Sequence, residues 1–271
     1  MSARNSQSHK AAARERLRVE RERQAKKERA RRQLVVGVSA VAVLAAAGGI
    51  GYAVVQSNQP SRWETAADAK TVSAPKNTTG ANGTTVVIGK SSAKKTLELY
   101  EDSRCPVCAT FEQSVGSTVE KDVEAGKYKI RYVGATFIDD GIPGEGSKNA
   151  LSALGAALDV SPEAFLKYKS ALYSTQFHPE ERDDKFAEDS YLLEVADSVP
   201  ALKGNAAFRK HVEDGTFDAW AMKMSAAFDA SGVTGTPTLK MDGKPVTAAG
   251  SDSPPMTPAE FETAIASALG A

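Results

Sequence analysis

The chain has 271 residues with 34 basic and 34 acidic side chains, 41% hydrophobic residues and two cysteines. At about 150 residues per domain this makes one or two domains, long enough to bury a real core. Two cysteines exclude a disulfide-dense scaffold and a four-thiolate zinc site, and the lack of a strongly basic body argues against nucleic acid as a ligand.

The zero net charge averages unlike parts. Residues 1–33 hold 12 Lys/Arg and 4 Asp/Glu, a local +8, while the other 238 hold 22 and 30, a local −8. From Leu34 to Val55 run 22 residues without a charge. A helix of that length covers about 33 Å, enough for a hydrocarbon core of about 30 Å. A buried core helix would not start straight after Arg31-Arg32. A cleavable signal is the other rival, since Ala45-Ala46-Ala47 offers an A-x-A pattern, but the apolar run continues to Val55. An uncleaved single-pass anchor over 34–55 is therefore expected, with a twin-arginine route left open by Arg31-Arg32-Gln33-Leu34. Only Arg62 and Lys70 follow the span within twenty residues, which puts the N-terminus in the cytoplasm and the C-terminal body outside the cell membrane. The basic tail reads as an orienting, lipid-facing segment rather than a nucleic-acid binder. Residues 56–83, rich in Ser, Asn, Thr, Gly and Pro, read as a flexible linker.

The body, 84–271, opens on two strands, Thr84 to Ile88 and the alternating Thr96 to Tyr100. Cys105-Pro106-Val107-Cys108 follows. Proline suits a first helical turn, so a helix is expected from about Cys105, with Cys108, Phe111, Val115 and Val119 on one face. Tyr128 to Ile138 reads as a third strand after a loop around Gly126. The stretch 147–231 reads as helical throughout: Ser161-Pro162-Glu163 opens one helix, Asn205 caps another, and Phe217, Trp220, Met224 and Phe228 line a third. These stripes read as core rather than as a cofactor box. Thr238 to Met241 and Lys244 to Val246 flank Asp242-Gly243, a hairpin signal. Thr257-Pro258-Ala259-Glu260 is a capping box opening a final helix.

Two thiols spaced C-x-x-C at a helix start can close a disulfide across one turn. The backbone N–H groups and the positive end of the helix dipole favour the thiolate of the first, so Cys105 is the expected nucleophile. Cys108, one turn further and on the apolar face, is the expected resolving thiol. Half a zinc site is the first rival, but His9, His178 and His211 offer no paired ligand spacing. An inert disulfide is the second, although an i,i+3 bridge closes too small a loop to be a useful staple.

The segment Tyr100-Glu101-Asp102-Ser103-Arg104-Cys105-Pro106-Val107-Cys108-Ala109-Thr110-Phe111-Glu112 resembles the active site of DsbA-like thioredoxin-fold oxidoreductases, especially the membrane-anchored or secreted actinobacterial ones. Gly232-Val233-Thr234-Gly235-Thr236-Pro237-Thr238 is similar to that family's cis-proline loop. The resemblance covers about 84–270 and implies an α/β thioredoxin-like fold with a helical insertion over about 147–231, preceded here by the single transmembrane helix. It implies a cis bond at Pro237, with Thr236 and Pro237 binding substrate as an added strand would and Pro106 and Val107 supporting the cysteine pair.

The implied function is a membrane-tethered thiol-disulfide oxidoreductase forming disulfides in exported proteins, needing neither organic cofactor nor metal. Its implied partners are exported proteins with free thiols or disulfides and a membrane quinone-linked thiol oxidase of the DsbB or vitamin K epoxide reductase-like type; the bilayer is met through 34–55. A reductase or isomerase with the same site, and a non-enzymatic membrane-tethered peptide-binding module, are the alternatives. Two departures stand out. Many thioredoxin-like proteins carry a buried acid six residues before the first cysteine, where this chain has Leu99, and alternation turns one or both of Glu98 and Glu101 away. The Pro-Val dipeptide also lacks the histidine of the strongly oxidising members, which removes a cation that would depress Cys105 further.

Overall fold

The computed structural model describes residues 2–57 and 60–270, in two units, Met1–Pro60 and Ser61–Ala271. The first unit is the long helix α1 (Ser2–Ser57). The expected membrane span lies within it. Of that span, the side chains of residues 40, 42, 43 and 47–55 lie outside the described residues, and among the described residues no helix is long and apolar enough to cross a membrane. Leu34, Val35, Val36, Val38, Val41 and Leu44 of α1 are exposed.

The second unit begins with α2 (Arg62–Ala67), followed by β1 (Val86–Ile88) and β2 (Thr96–Asp102). Next come α3 (Pro106–Phe111), a π-turn (Glu112–Gly116) and α4 (Ser117–Ala125). Helix α4 stops at Gly126, whose φ of 80° supplies the left-handed residue that closes a helix end. The chain then returns as β3 (Lys129–Ala135), parallel to β2. After it come α5 (Ile138–Gly141), α6 (Gly146–Val160), α7 (Pro162–Leu172), α8 (Asp189–Ala196), α9 (Ala206–Glu213) and α10 (Asp218–Asp229). The hairpin β4 (Thr238–Met241) and β5 (Lys244–Pro245) and the last helix α11 (Pro258–Leu269) complete the unit.

Among the described residues five strands form one sheet, in the order β1-β3-β2-β4-β5, with β2 and β3 the parallel pair. The period of two sorts the side chains by face. Leu97, Leu99 and Glu101 stand level with Ile130, Tyr132 and Gly134 on one face. There Tyr132 packs edge-on against Phe165 of α7, with ring centroids 5.0 Å apart. Tyr100 and Val133 point the other way, where Tyr100 meets Phe228 of α10 at 6.2 Å.

The local signals work as read. Ser161 accepts a hydrogen bond from the Ala164 amide, Asn205 from that of Phe208, and Thr257 and Glu260 form a reciprocal capping box. Asp242 and Gly243 turn the β4–β5 hairpin with φ of 52° and 76°, as a type I′ turn requires.

Two expectations need correction. Residues 61–83 are not a free linker. Trp63 of α2 is 5% exposed, and Arg62 Nε donates to Asp218 Oδ2 of α10 at 2.5 Å. Further along, Lys76 N donates to Asp159 Oδ1 at 2.9 Å, and Trp220 Nε1 to the Gly83 carbonyl at 2.9 Å. This strap has no hydrophobic period because separate anchors hold it, not an apolar face of its own. Nor is 147–231 helical throughout: the chain from Ser174 to Asp184 runs as turns and irregular backbone. Its Glu181 carbonyl and Asp184 carboxylate serve the buried Arg104 instead.

Candidate active site

Strand β2 ends in a buried polar run, Glu101-Asp102-Ser103-Arg104, that delivers Cys105 to the start of α3. Asp102 fixes this corner. Its Oδ1 accepts from the Arg104 amide (3.0 Å) and the Ser147 hydroxyl (2.6 Å), and its Oδ2 from the Ile138 amide (3.2 Å). Burial, against these hydrogen bonds, pushes the Asp102 carboxyl up to about 7. The Arg104 guanidinium, also buried, pairs with Asp139 (2.8 Å) and Asp184 (3.3 Å) and donates to the carbonyls of Ile142 and Glu181. Gly144 makes room for it, since a Cβ there would lie 2.5 Å from Arg104 Nη1. Helix α5 with Ile142 after it, and the irregular stretch 178–184, are thus drawn to the residue before Cys105.

Cys105 is the N-cap of α3 with Pro106 at the first helical position, and its Sγ accepts from the Cys108 amide at 3.4 Å. The two thiols are free, 6% and 0% exposed respectively. The Cys108 thiol hydrogen-bonds to Cys105. Against the opposing cost of burial, and helped by Thr236 and the amides of Cys108 and Val107, it lowers the Cys105 pKa to about 6. Cys108 shifts in the opposite direction: burial first, then Cys105 and the charge of Glu101, push it well above the ordinary thiol value. One sulfur is therefore prepared as a thiolate and the other is held as a thiol.

The Thr236-Pro237 peptide is cis. Cys105 Sγ donates to the Thr236 carbonyl at 3.4 Å, so the fold brings Cys105, Cys108, Thr236 and Pro237 together. Pro106 and Val107 lie at the exposed helix start, Val107 at 48% exposure. Gly232 to Thr238 and Lys240 line an open concavity of about 410 Å³ beside them.

Sequence reasoning left the buried acid open, and the structure assigns it. Glu101 shares the inward face of β2 with Leu99 and is fully buried, while Glu98 lies on the other face, beside Tyr100. Lys169 of α7 sits 3.2 Å from Glu101 Oε2 and donates to Glu112 Oε2 at 2.5 Å. Burial pushes the Glu101 carboxyl up to about 7, with Lys169 opposing and Glu112 and Cys105 reinforcing. Burial alone would lower Lys169, but the two carboxylates outweigh it and raise its pKa. Tyr173, one turn after Lys169, closes the inner side, donating to the Asp102 carbonyl at 3.0 Å and packing with Cys105, Cys108 and Ile138. Strand alternation was the signal that could have singled out Glu101, two residues after Leu99 and so on its face. Lys169, Glu112 and Tyr173 carried no such signal, since no local pattern marks a lysine and a tyrosine on an amphipathic helix as facing a cysteine some sixty residues earlier.

A helix opening on two cysteines, one activated and one buried, set against a cis-proline loop, is the layout of a thiol-exchange protein. Residues 81–267 match the family model described as Thioredoxin, and the chain belongs to that family. Its body is DsbA-like. It superposes on the oxidised crystal structure of DsbA from Mycobacterium tuberculosis with a TM-score of 0.57 and 25% identity, covering 69% of this chain and 93% of that one. Curated relatives match the sequence as well. Disulfide bond formation protein D of Bacillus subtilis is 23% identical over 159 residues, which is 58% of this chain and 68% of the relative. The serine/threonine-protein kinase PknE of Mycobacterium tuberculosis is 29% identical over 158 residues, covering 56% of this chain but only 27% of the kinase.

Proposed function

We propose that this protein is a membrane-tethered, extracytoplasmic thiol-disulfide oxidoreductase that forms disulfides in exported proteins through Cys105 and Cys108. The observation that carries the reading is the placement of the two sulfurs, Cys105 at the N-cap of α3 with its Sγ accepting from the Cys108 amide and Cys108 fully buried behind it, which lowers the first to about 6 and raises the second. In the oxidised protein a client thiolate attacks Cys105 Sγ. The Cys105–Cys108 bond breaks, the electron pair leaves on Cys108, and Glu101 supplies the proton that returns Cys108 to a thiol. A second client thiolate then attacks the client sulfur of the mixed disulfide and expels Cys105 as a thiolate. Two electrons have passed from the client dithiol to the pair, and a membrane quinone-linked thiol oxidase takes them on. The extended client lies along the backbone of Thr236, as an added strand does.

Direction follows from the leaving group. A Cys105 value near 6 falls between those of thioredoxin, about 7, and DsbA, about 3.5, and a stabilised thiolate makes the disulfide form more oxidising. The names of the DsbA and disulfide-formation relatives point the same way. The expected reduction potential lies between about −270 and about −120 mV, and the oxidised protein should convert a peptide dithiol to its disulfide while Cys105→Ser does not. A potential below that of thioredoxin, with client disulfides reduced instead, would replace an oxidase by a reductase.

The tether rests on the uncharged run 34–55, on the exposed Val and Leu side chains of α1 and on the basic tail before them. Protease added to intact cells should remove the body and spare residues 1–33; a protected body would overturn the topology.

A further inference from the structure

Lys169 brings one positive charge into the interior and meets two carboxylates there, although one would neutralise it. Its side chain is 4% exposed, and those of Glu101 and Glu112 are 0% and 5%. An unpaired buried ammonium is costly, and so is an excess buried carboxylate. The geometry separates the two acids. Glu112 takes the aligned hydrogen bond at 2.5 Å, whereas Glu101 stands at 3.2 Å and neither of its oxygens accepts an aligned hydrogen bond. Glu112 is thus the fixed counter-charge, and Glu101 is the acid left free to gain and lose a proton, in keeping with its rise to about 7.

The backbone is built to hold Glu112 there. It opens the π-turn that interrupts the cysteine-bearing helix, a feature often found at functional sites. Gly116, at the other end of that turn, leaves the space: a Cβ on it would lie 2.6 Å from Glu112 Cδ and 2.8 Å from each carboxylate oxygen. The other groups coupled to Glu101 are Cys105 at the N-cap of α3, Cys108 within it, Tyr132 from β3, whose buried hydroxyl has no partner among the described residues, and Tyr173 just after α7. Lys169 is the cation among them.

We infer that Glu112 is a positioning residue: by holding the Lys169 ammonium to itself, it leaves Glu101 able to exchange a proton with Cys108. The inference rests on the exchange reading above and extends it to a residue that touches neither sulfur nor client. In the resolving step the Cys108 thiol gives its proton to the Glu101 carboxylate. The thiolate attacks Cys105 Sγ of the mixed disulfide, the Cys105–Cys108 bond forms, and the client sulfur leaves with the electron pair. Without the Glu112 charge, Lys169 turns wholly to Glu101 and keeps it ionised.

The test compares wild type, Glu112→Gln, Glu112→Asp and Gly116→Ala. The Glu101 carboxyl carbon is titrated by NMR in the reduced protein, and the release of glutathione from a Cys105–glutathione mixed disulfide is followed against pH. In Glu112→Gln both midpoints should fall by one pH unit or more. Glu112→Asp, which keeps the charge, should stay near wild type, and Gly116→Ala should move toward Glu112→Gln. An unchanged Glu101 titration in Glu112→Gln overturns the positioning role while exchange itself stands. A shifted titration with an unshifted release profile overturns the link to Cys108. If wild type releases no glutathione at any pH, the exchange reading fails and this inference falls with it.

Discussion

Cys105 Sγ lies 3.4 Å from the carbonyl of Thr236, to which it donates in its thiol form, across 131 residues of chain. Strand pairing brings this about. Strand β4 runs antiparallel to β2, with Leu239 opposite Leu99 and Thr238 opposite Tyr100, so the residues just before β4 lie beside those just after β2. On the proposed reading, a client backbone paired with Thr236 would lie beside Cys105.

The preparation of Cys105 makes its reactivity pH-dependent in a stated direction. Alkylation of the reduced protein, followed by mass spectrometry, should rise with pH around a midpoint near 6 and level off above it, instead of rising around the free thiol value of about 8.5. Cys108, buried and raised, should react at least about tenfold more slowly at pH 7. Equal rates at the two thiols would contradict the assignment.

Glu101 should leave its mark on stability. Its folded value near 7 lies above the unfolded value of about 4.3, so the native state binds more protons in that window and loses stability as pH rises through it. Urea unfolding of the reduced protein should show wild type losing stability relative to Glu101→Gln between about pH 4.3 and 7, with a constant difference above. A pH-independent difference would mean that Glu101 titrates in the fold as it does in water.

The strap 61–83 should count as part of the folded body. Trp63 is 5% exposed against the body, so Trp63→Ala should lower unfolding stability by about 3–5 kcal/mol. Arg62→Ala should cost less, because the arginine side chain is 40% exposed and its pair with Asp218 is partly screened. Trp63→Ala with wild-type stability would return this segment to the status of a linker.

The parts of the fold written in short-range chemistry were legible in the sequence. The caps at Ser161, Asn205 and Thr257, the Asp242-Gly243 turn and the helix start at Pro106 each act within a few residues, and each stands where its chemistry puts it. The cysteine pair and the cis Pro237 were legible for a different reason, the resemblance of two short motifs. What stayed hidden depends on long-range pairing. The strap is held by Arg62 to Asp218 and Lys76 to Asp159, and the inner wall of the site by Lys169 to Glu112 and Arg104 to Asp139. In a linear sequence each of these charges looks like one more solvated surface residue.

Cys105 is the thiol that forms the mixed disulfide with clients, and Cys108 is the intramolecular thiol that releases every adduct the client's own second thiol does not resolve. Expressed in cells as Cys108→Ala, the protein should accumulate covalent adducts with exported proteins, visible on non-reducing gels, lost on reduction and mapped by mass spectrometry to Cys105. The Cys105→Ser variant should give none, because buried Cys108 does not reach a client. A folded Cys108→Ala protein without such adducts would contradict the exchange mechanism and leave the Thr236-Pro237 groove as a site for binding alone.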